Sequence, residues 1–399
     1  MATKKKTTRP RDVQLYVGTR KGGFIFRSDL RRKSWRVEGP LFPGWEVNHL
    51  MRDSRSGWLW AAINTTWWGN DLQVSRDNGK SWRKASAGLA FSPGRKMVMK
   101  DSSSKRGLSI NRLWHVAPDR PSRPQTLWCG VDPGALFRTD DGGKNWREVR
   151  SLTEHPTRAA WQPGAGGLMV HTILLDPREE RRMYVGISAA GCFRSDDDGQ
   201  SWQAMNKGVR ADFLPTKFPK VGQCVHRMAM DAKRPEVIYQ QNHCGQYRSD
   251  DGGATWADIA KGLPSRFGFP VVAHPHASGT IYVVPEKDAQ YRFVPGGRFS
   301  VFRSRNGGRS WQRLVRGLPQ ENAYLAVMRH AATRDTCEEA GIYVGTTTGE
   351  IFYSRNSGDA WELMPTHMPP ILSLEAAALP QSCRTAATCE SILATVGPV

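Results

Sequence analysis

The sequence lacks long apolar runs: none approaches the ~20 residues that a membrane-spanning helix needs. Its first residues, 1–11, are basic and lack the apolar stretch of a secretory signal. These two absences argue against a helical membrane protein. They predict a cytoplasmic location and no membrane partner.

Cysteine is sparse, with seven scattered residues and no Cys-x-x-Cys pair. This pattern indicates neither a disulfide framework nor a structural zinc site, and no cofactor is predicted. Acidic residues are also few, since 37 Asp and Glu face 57 Lys and Arg and leave a formal net charge of +20. The basic residues are spread along the chain without a nucleic-acid-binding motif. The charge therefore favours solubility or a small anionic ligand, and nucleic acid is not expected as a partner.

What the sequence has in abundance is a repeat. Ser249-Asp-Asp-Gly-Gly-Ala-Thr-Trp256 is one of six clear copies of an octapeptide, and 28–35 is a seventh, degenerate copy. The terminal Trp residues of the seven copies are spaced by 47, 64, 56, 54, 55 and 50 positions. A near-constant period of this size indicates one supersecondary unit per copy.

The chemistry of the octapeptide is that of a tight turn. A hydroxyl at the first position and Asp or Asn at the third can bond nearby backbone N–H groups, and Gly at the fifth permits a positive φ. Turn stabilisation explains the third-position residues without an acid or calcium-ligand role. These residues are Asp77, Asp141, Asp197, Asp251, Asn306 and Asn356.

The octapeptide resembles the Asp-box, or BNR, repeat of sialidases and related β-propellers, and the resemblance covers residues 12–380. It extends to bacterial BNR proteins labelled as sialidase-like or glycosyl hydrolases and, more distantly, to photosystem II assembly factors and sortilin ectodomains, which bind proteins or peptides. Phe26-Arg27-Ser28 begins a box and does not form the Phe-Arg-Ile-Pro-like segment of sialidases. No catalytic residue is therefore transferred by motif, and the shared fold leaves function open.

Each box follows an aromatic-rich strand, such as Met183–Gly186, and most units begin with a further strand, such as Val170–Asp176. Four strands per unit, A to D, with the box between C and D, predict an all-β, seven-bladed β-propeller. Residues 13–37 supply strands B to D and residues 371–379 supply strand A, so both termini close one blade. We expect a basic arm (1–11), one propeller domain (12–380), a C-terminal tail (381–399) and a monomer.

In such a propeller the D–A and B–C loops share one face, opposite the boxes. We call these the loop face and the box face. Long loops are often functional, and here they fall on the loop face. They are 85–109, 152–167, 206–222 and 285–300.

Two histidines occupy equivalent positions in adjacent units, since His171 and His226 lie thirteen residues before Tyr184 and Tyr239. His49 keeps the same parity, so these three could ring the upper channel. A metal site, with His171 and His226 as weak candidates, contact with another ligand, and structural lining of the channel all remain open.

Other candidates converge on the loop face. The predicted ligand-binding set is completed by residues suited to stacking or to holding an anion: His243, Trp67, Trp68 and Arg112. Glu46, Asp212 and Glu321 are loop carboxylates that could pair as acid and base, and Cys224 and Cys244 are weak nucleophile candidates. We expect a binding or scaffolding propeller for an anionic or carbohydrate-like ligand or a protein partner. The alternative is a sialidase-like glycoside hydrolase.

Overall fold

The computed structural model describes residues 10–65, 69–92, 108–164 and 166–380. Seven four-stranded antiparallel sheets surround a central channel, which confirms the predicted seven-bladed β-propeller. Helix is confined to α1 (Arg150–Thr153) and the 3-10 turns Arg158–Ala160 and Pro295–Gly297. Among the described residues, no helix has the length and apolar character needed to cross a bilayer.

The strands follow the chain in order. Blade 1 contains β1 (Pro10–Thr19), β2 (Gly22–Asp29) and β3 (Arg36–Leu41); blade 2 contains β4 (Glu46–Arg52), β5 (Leu59–Thr65), β6 (Gly69–Ser75) and β7 (Arg83–Lys84); blade 3 contains β8 (Arg112–Pro118), β9 (Leu127–Asp132), β10 (Ala135–Thr139) and β11 (Arg147–Glu148). Blade 4 contains β12 (Met169–Leu175), β13 (Met183–Ser188), β14 (Gly191–Ser195) and β15 (Gln203–Ala204).

The remaining blades repeat this order. Blade 5 contains β16 (Val225–Met230), β17 (Ile238–Asn242), β18 (Gly245–Ser249) and β19 (Ala257–Asp258); blade 6 contains β20 (Gly268–Ala273), β21 (Ile281–Pro285), β22 (Val301–Ser304) and β23 (Gln312–Leu314); blade 7 contains β24 (Ala332–Arg334), β25 (Ile342–Gly345), β26 (Ile351–Ser354) and β27 (Glu362–Leu363). The last strand, β28 (Ile371–Pro380), joins blade 1.

Both termini close the ring, as the sequence predicts. Strand β28 pairs antiparallel with β1, with Leu15 opposite Ala376 and Val17 opposite Leu374. The innermost strand of blade 1 therefore comes from the opposite end of the chain to its three partners. This pairing leaves no open edge where the first and last blades meet.

The boxes form the turns that their chemistry predicts. In all six, the third-position Oδ1 accepts a hydrogen bond from the first-position hydroxyl at 2.7–2.9 Å and from a backbone N–H four residues on at 2.8–3.0 Å. In Asp141, burial opposes ionisation, but bonds from Asn145 and Thr139 outweigh it and lower the pKa to about 2. These acids are committed to their own turns.

The box tryptophans join neighbouring blades. Trp256 of blade 5 is 5% exposed, packs with Tyr184 of blade 4 and donates from Nε1 to the Met205 carbonyl at 2.8 Å. Trp146 and Trp311 make the same kind of bond to the preceding blade, at 2.8 and 2.9 Å. The repeat thus supplies both the hairpin turns and the contacts between blades.

Candidate functional site

A β-bulge near the loop face sets the direction of the channel side chains. In blades 2 to 5 the register between strands A and B shifts at a single residue, which therefore has no cross-strand partner. The bulge residues are Asn48, Trp114, His171 and His226. Side chains along a strand normally face alternate sides of the sheet, and a bulge interrupts this alternation. Counting residues along the sequence therefore gives the wrong side for residues beyond the bulge. His49 follows its bulge and is not equivalent to His171 and His226.

His171 joins two blades. Its Nε2 donates to the Val225 carbonyl of blade 5 at 2.8 Å, and Nδ1 lies 2.9 Å from Thr172 Oγ1. Asn48, at the equivalent bulge, donates in the same way to the Leu113 carbonyl of blade 3 at 3.2 Å. Both ring nitrogens of His171 are engaged, so its geometry matches the structural alternative.

His49 instead belongs to a channel cluster with His115 and His330. Ring centroids lie 4.5 Å apart for His49 and His115, 4.9 Å for His115 and His330, and 5.9 Å for His49 and His330. His49 Nδ1 accepts the Val116 N–H at 3.2 Å. All three rings are buried. The sequence-based set of His49, His171 and His226 is therefore not brought together as one ring.

The surroundings of the channel cluster disfavour a cation. Arg227 Nη1 lies 2.6 and 2.9 Å from the two ring nitrogens of His330. Burial lowers the pKa of His330 well below its ordinary value, and the Arg227 charge adds to this effect. Burial and the neighbouring His49 do the same to the pKa of His115. The rings of His115 and His330 are therefore neutral at physiological pH, and a guanidinium already contacts the two His330 nitrogens that a metal would use.

The channel contains a cavity on each side of these histidines. Toward the box face, a cavity of about 450 Å³ is lined by Arg52, Arg227, Arg334 and a single acid, Glu375. Burial opposes the charge on Glu375, but the His49 hydrogen bond and the nearby guanidinium charges hold the Glu375 pKa below its ordinary value. Toward the loop face lies a second, smaller cavity with a volume of about 60 Å³.

Two candidate residues from the sequence analysis, Glu46 and Arg112, line the small cavity. Arg112 Nε lies 3.2 Å from Glu46 Oε1, and Trp114 lines the same cavity. Arg112 also stands directly opposite Asp132 in the sheet. Burial raises the pKa of Asp132 to about 6, although the Arg112 charge opposes the shift. Arg112 therefore forms an ion pair with Glu46 and places its charge near Asp132, and of these two carboxylates sequence reasoning identified only Glu46.

A second cluster lies at the loop face of blade 5. Ligand atoms of Cys224, His226 and His243 all lie within 4.8 Å of one another. Burial raises the pKa of the Cys224 thiol, with Arg329 opposing the shift, and burial likewise raises the pKa of the Cys244 thiol. Raised pKa values give little support to either cysteine as a nucleophile.

Of the other carboxylate candidates, Asp212 lies beside this cluster, since its backbone N–H is 3.4 Å from Cys244 Sγ. Asp212 is exposed and forms an ion pair with Arg210 at 2.7 Å, and Glu321 is exposed on the loop before blade 7. Trp67 and Trp68 lie outside the described residues. The structure adds Glu286, whose side chain is fully buried at the loop face and whose pKa burial raises to about 7.

The loop face also carries the exposed aromatic side chains. Every exposed Trp, Tyr or Phe of the described chain lies in a D–A or B–C loop: Trp45, Phe213, Phe218, Tyr291 and Tyr324. Exposed apolar residues elsewhere are aliphatic: Leu30, Val37 and Leu363. Aromatic faces open to solvent are suited to stacking on sugar rings.

No family model matches the chain. It is 26% identical over 299 residues to a xyloglucanase from Paenibacillus sp, covering 73% of this chain and 24% of the relative. It is 27% identical over 155 residues to a sialidase from Bacteroides fragilis, covering 34% of this chain and 28% of the relative. The chain thus spans about a quarter of the length of these curated relatives.

Solved structures agree with the fold. The GH74 enzyme of Niastella koreensis matches with a TM-score of 0.58 and 17% identity, over 88% of this chain and 52% of that one. YCF48 from Cyanidioschyzon merolae matches with a TM-score of 0.50 and 12% identity, over 82% and 89% of the two chains. The chain is a BNR-like seven-bladed propeller, as the box resemblance predicts. Identities this low establish the fold alone.

Residues missed by sequence reasoning share one property. His115, Asp132, Glu286 and His330 all lie outside the boxes. His115 and His330 become neighbours only when blades distant in sequence meet in the closed ring. Asp132 and Glu286 did carry a weak local signal, since each is an acid directly at the end of a strand B or just after it. His115 and His330 carried none beyond their residue type.

Proposed function

We propose that the loop face binds a xyloglucan-type polysaccharide and that Glu46 and Asp132 form a hydrolytic pair. The observation that carries the proposal is the confinement of exposed aromatic residues to the loop face in the part of the chain that the structure describes. The xyloglucanase relative supports the substrate class. Net charge does not oppose it, because stacking on sugar rings requires no charge.

The two carboxyl groups lie in different environments, as a general acid and its partner in glycoside hydrolysis require. Asp132, with a pKa raised to about 6 by burial, holds its proton under mildly acidic conditions. Glu46 is paired with Arg112 and takes the role of base or nucleophile. Environments that separate the behaviour of two carboxyl groups define the general acid and its partner. Glycoside hydrolysis needs the two carboxyl groups roughly 5–10 Å apart. Arg112 relates them in the structure, since it forms an ion pair with Glu46 and stands opposite Asp132 in the sheet.

Release of reducing sugar from xyloglucan, cello-oligosaccharides and a sialoside tests the proposal. We expect activity on xyloglucan that falls as the pH rises through about 6, because Asp132 must be protonated to donate. Asp132→Asn should remove hydrolysis and retain binding. The exposed Asp212→Asn serves as the control and should retain both. Absence of hydrolysis on all three substrates, or full activity of Asp132→Asn, would refute the hydrolytic role.

A second candidate function is the binding of an anion in the cavity toward the box face. Three arginines and one glutamate line about 450 Å³, which gives the cavity an excess of positive charge. Burial lowers the pKa of Arg227 and Arg334, which reflects the cost of holding both charges there. Calorimetric titration with inorganic phosphate and citrate, repeated with Arg334→Gln, tests this candidate. Equal binding by the variant would reject it.

A further inference from the structure

The cluster of Cys224, His226 and His243 comes from a single blade. Cys224 precedes β16, His226 is the bulge residue of that strand, and His243 lies in the turn after β17. The backbone connects two of them directly, because the His243 N–H donates to the Cys224 carbonyl at 3.0 Å. One local piece of chain therefore fixes the positions of all three side chains.

The side-chain atoms of this cluster remain available to a ligand. His226 Nδ1 donates to the Gly268 carbonyl at 2.6 Å, which leaves the lone pair on Nε2. A backbone bond of this kind orients histidines that bind metals. Cys224 Sγ has Ser188 Oγ at 3.3 Å, a hydroxyl able to donate to a thiolate. Among the described residues, His243 has no side-chain hydrogen bond and contacts other rings only.

Apolar rings surround the two imidazoles. Phe269 stacks on His226 with a centroid distance of 4.6 Å, and Phe267 lies 5.2 Å from His243. Arg329 lies over Phe269 at 5.0 Å, is 6% exposed and has no partner for Nε. An apolar shell excludes competing water, and the unpartnered Nε of Arg329 beside the cluster provides a contact for an anion.

We propose that Cys224, His226 and His243 bind a zinc ion and leave its fourth position open at the loop face. One thiolate and two imidazoles form a donor set that zinc favours, and three protein ligands are typical of zinc sites with an exchangeable position. Bonds of about 2.0–2.3 Å place tetrahedral ligands roughly 3.3–3.8 Å apart. The three ligand atoms of this cluster all lie within 4.8 Å of one another, so small side-chain movements bring them to these distances. The proposal does not depend on polysaccharide binding.

The channel cluster of His49, His115 and His330 provides the contrast. Its ligand atoms also lie within 4.8 Å of one another, but Arg227 contacts both nitrogens of His330. In the blade 5 cluster, no guanidinium lies within hydrogen-bond distance of the three ligand atoms among the described residues. A thiolate there also balances part of the charge of zinc.

Cobalt and zinc titrations of the full chain, freed of metal by chelation, test this site. We expect one cobalt ion per chain with a sulfur-to-cobalt charge-transfer band, displaced by zinc, and a zinc-dependent rise in thermal midpoint. Cys224→Ser should remove the band, and His243→Gln should weaken binding at least about tenfold. His243 is only partly buried, so its variant keeps the test valid if Cys224→Ser fails to fold.

Two matched controls separate this cluster from its neighbours. Cys244→Ser removes an adjacent buried thiol and His115→Gln alters the channel cluster, and both should bind cobalt as the unaltered chain does. Absence of a charge-transfer band in the unaltered chain would overturn the proposal. An unchanged band in Cys224→Ser, or equal loss of binding in His115→Gln, would also overturn it.

Discussion

The two faces of this propeller differ in how far their blades repeat. At the box face, six turns share one hydrogen-bond pattern, down to the same two acceptor bonds at each third-position side chain. At the loop face, the connection before strand A lasts from four residues, between β3 and β4, to more than twenty, between β7 and β8. Exposed aromatics and carboxyl groups of raised pKa accompany this irregularity. The repeated box turns stabilise the ring, whereas the irregular loops provide the side chains of the candidate sites.

The largest expected effect is on the repeating side. Trp256→Ala should lower the free energy of unfolding by about 3–5 kcal/mol, because a buried indole and its bond to blade 4 are both lost. Tyr324→Ala, at a loop-face residue 64% exposed, should change that free energy by less than about 0.5 kcal/mol. Urea denaturation measures both. Similar losses in the two variants would contradict the division between the faces.

Glu286 tests whether a buried carboxyl group at the loop face lowers the free energy of unfolding. Its folded pKa is raised by burial from 4.5 to about 7, so the folded protein keeps this proton to higher pH than the unfolded chain. Stability is therefore lost as pH rises from 4.5 through 7, and the penalty is complete above that range. Glu286→Gln should leave stability unchanged at pH 4 and increase it by about 3 kcal/mol at pH 8. A pH-independent difference between the two proteins would show that the carboxyl group does not titrate in this way.

His171 tests whether a hydrogen bond between neighbouring blades is repeated near the loop face. His171→Ala should lower the free energy of unfolding by about 2 kcal/mol, because the buried Val225 carbonyl loses its partner. His171→Asn should recover much of this loss, since Asn48 makes the equivalent bond in blade 2. Thermal and chemical denaturation compare the two variants. If asparagine is no better than alanine, the bond between blades does not explain why a histidine is present.

The fold could be predicted from sequence because its determinants are local and repeated. Each box contains its own turn, and the spacing of the Trp residues alone gives the number of blades. The site was less accessible. A bulge between Val47 and His49 shifts the alternation, so His49 faces His115 and His330 instead of joining His171. His171 and His226 do occupy equivalent bulge positions in adjacent blades, but their spacing in the sequence does not give which ring atoms remain free.

The carboxylates show the same limit. Glu46 was selected for its place at the start of a strand A, and the structure pairs it with Arg112. Burial raises the pKa of Asp132, while the Arg112 charge and a backbone hydrogen bond from the distant Leu168 oppose the shift, and no local pattern encodes this balance. Environments assembled from several blades are properties of the closed ring. Sequence reasoning can place their residues on a face but cannot give their protonation states.

The most direct test of the central claim compares xyloglucan binding by two variants matched in exposure. Trp45 on the loop face is 39% exposed, and Leu30 in the hairpin of the box face is 38% exposed. By calorimetry with xyloglucan oligosaccharides, we expect Trp45→Ala to weaken binding by about fivefold to twelvefold, as the loss of one stacked ring of about 1–1.5 kcal/mol implies. Leu30→Ala should bind as the unaltered chain does. Equal affinities of the two variants, or no binding by the unaltered chain, would contradict the assignment of the site to the loop face.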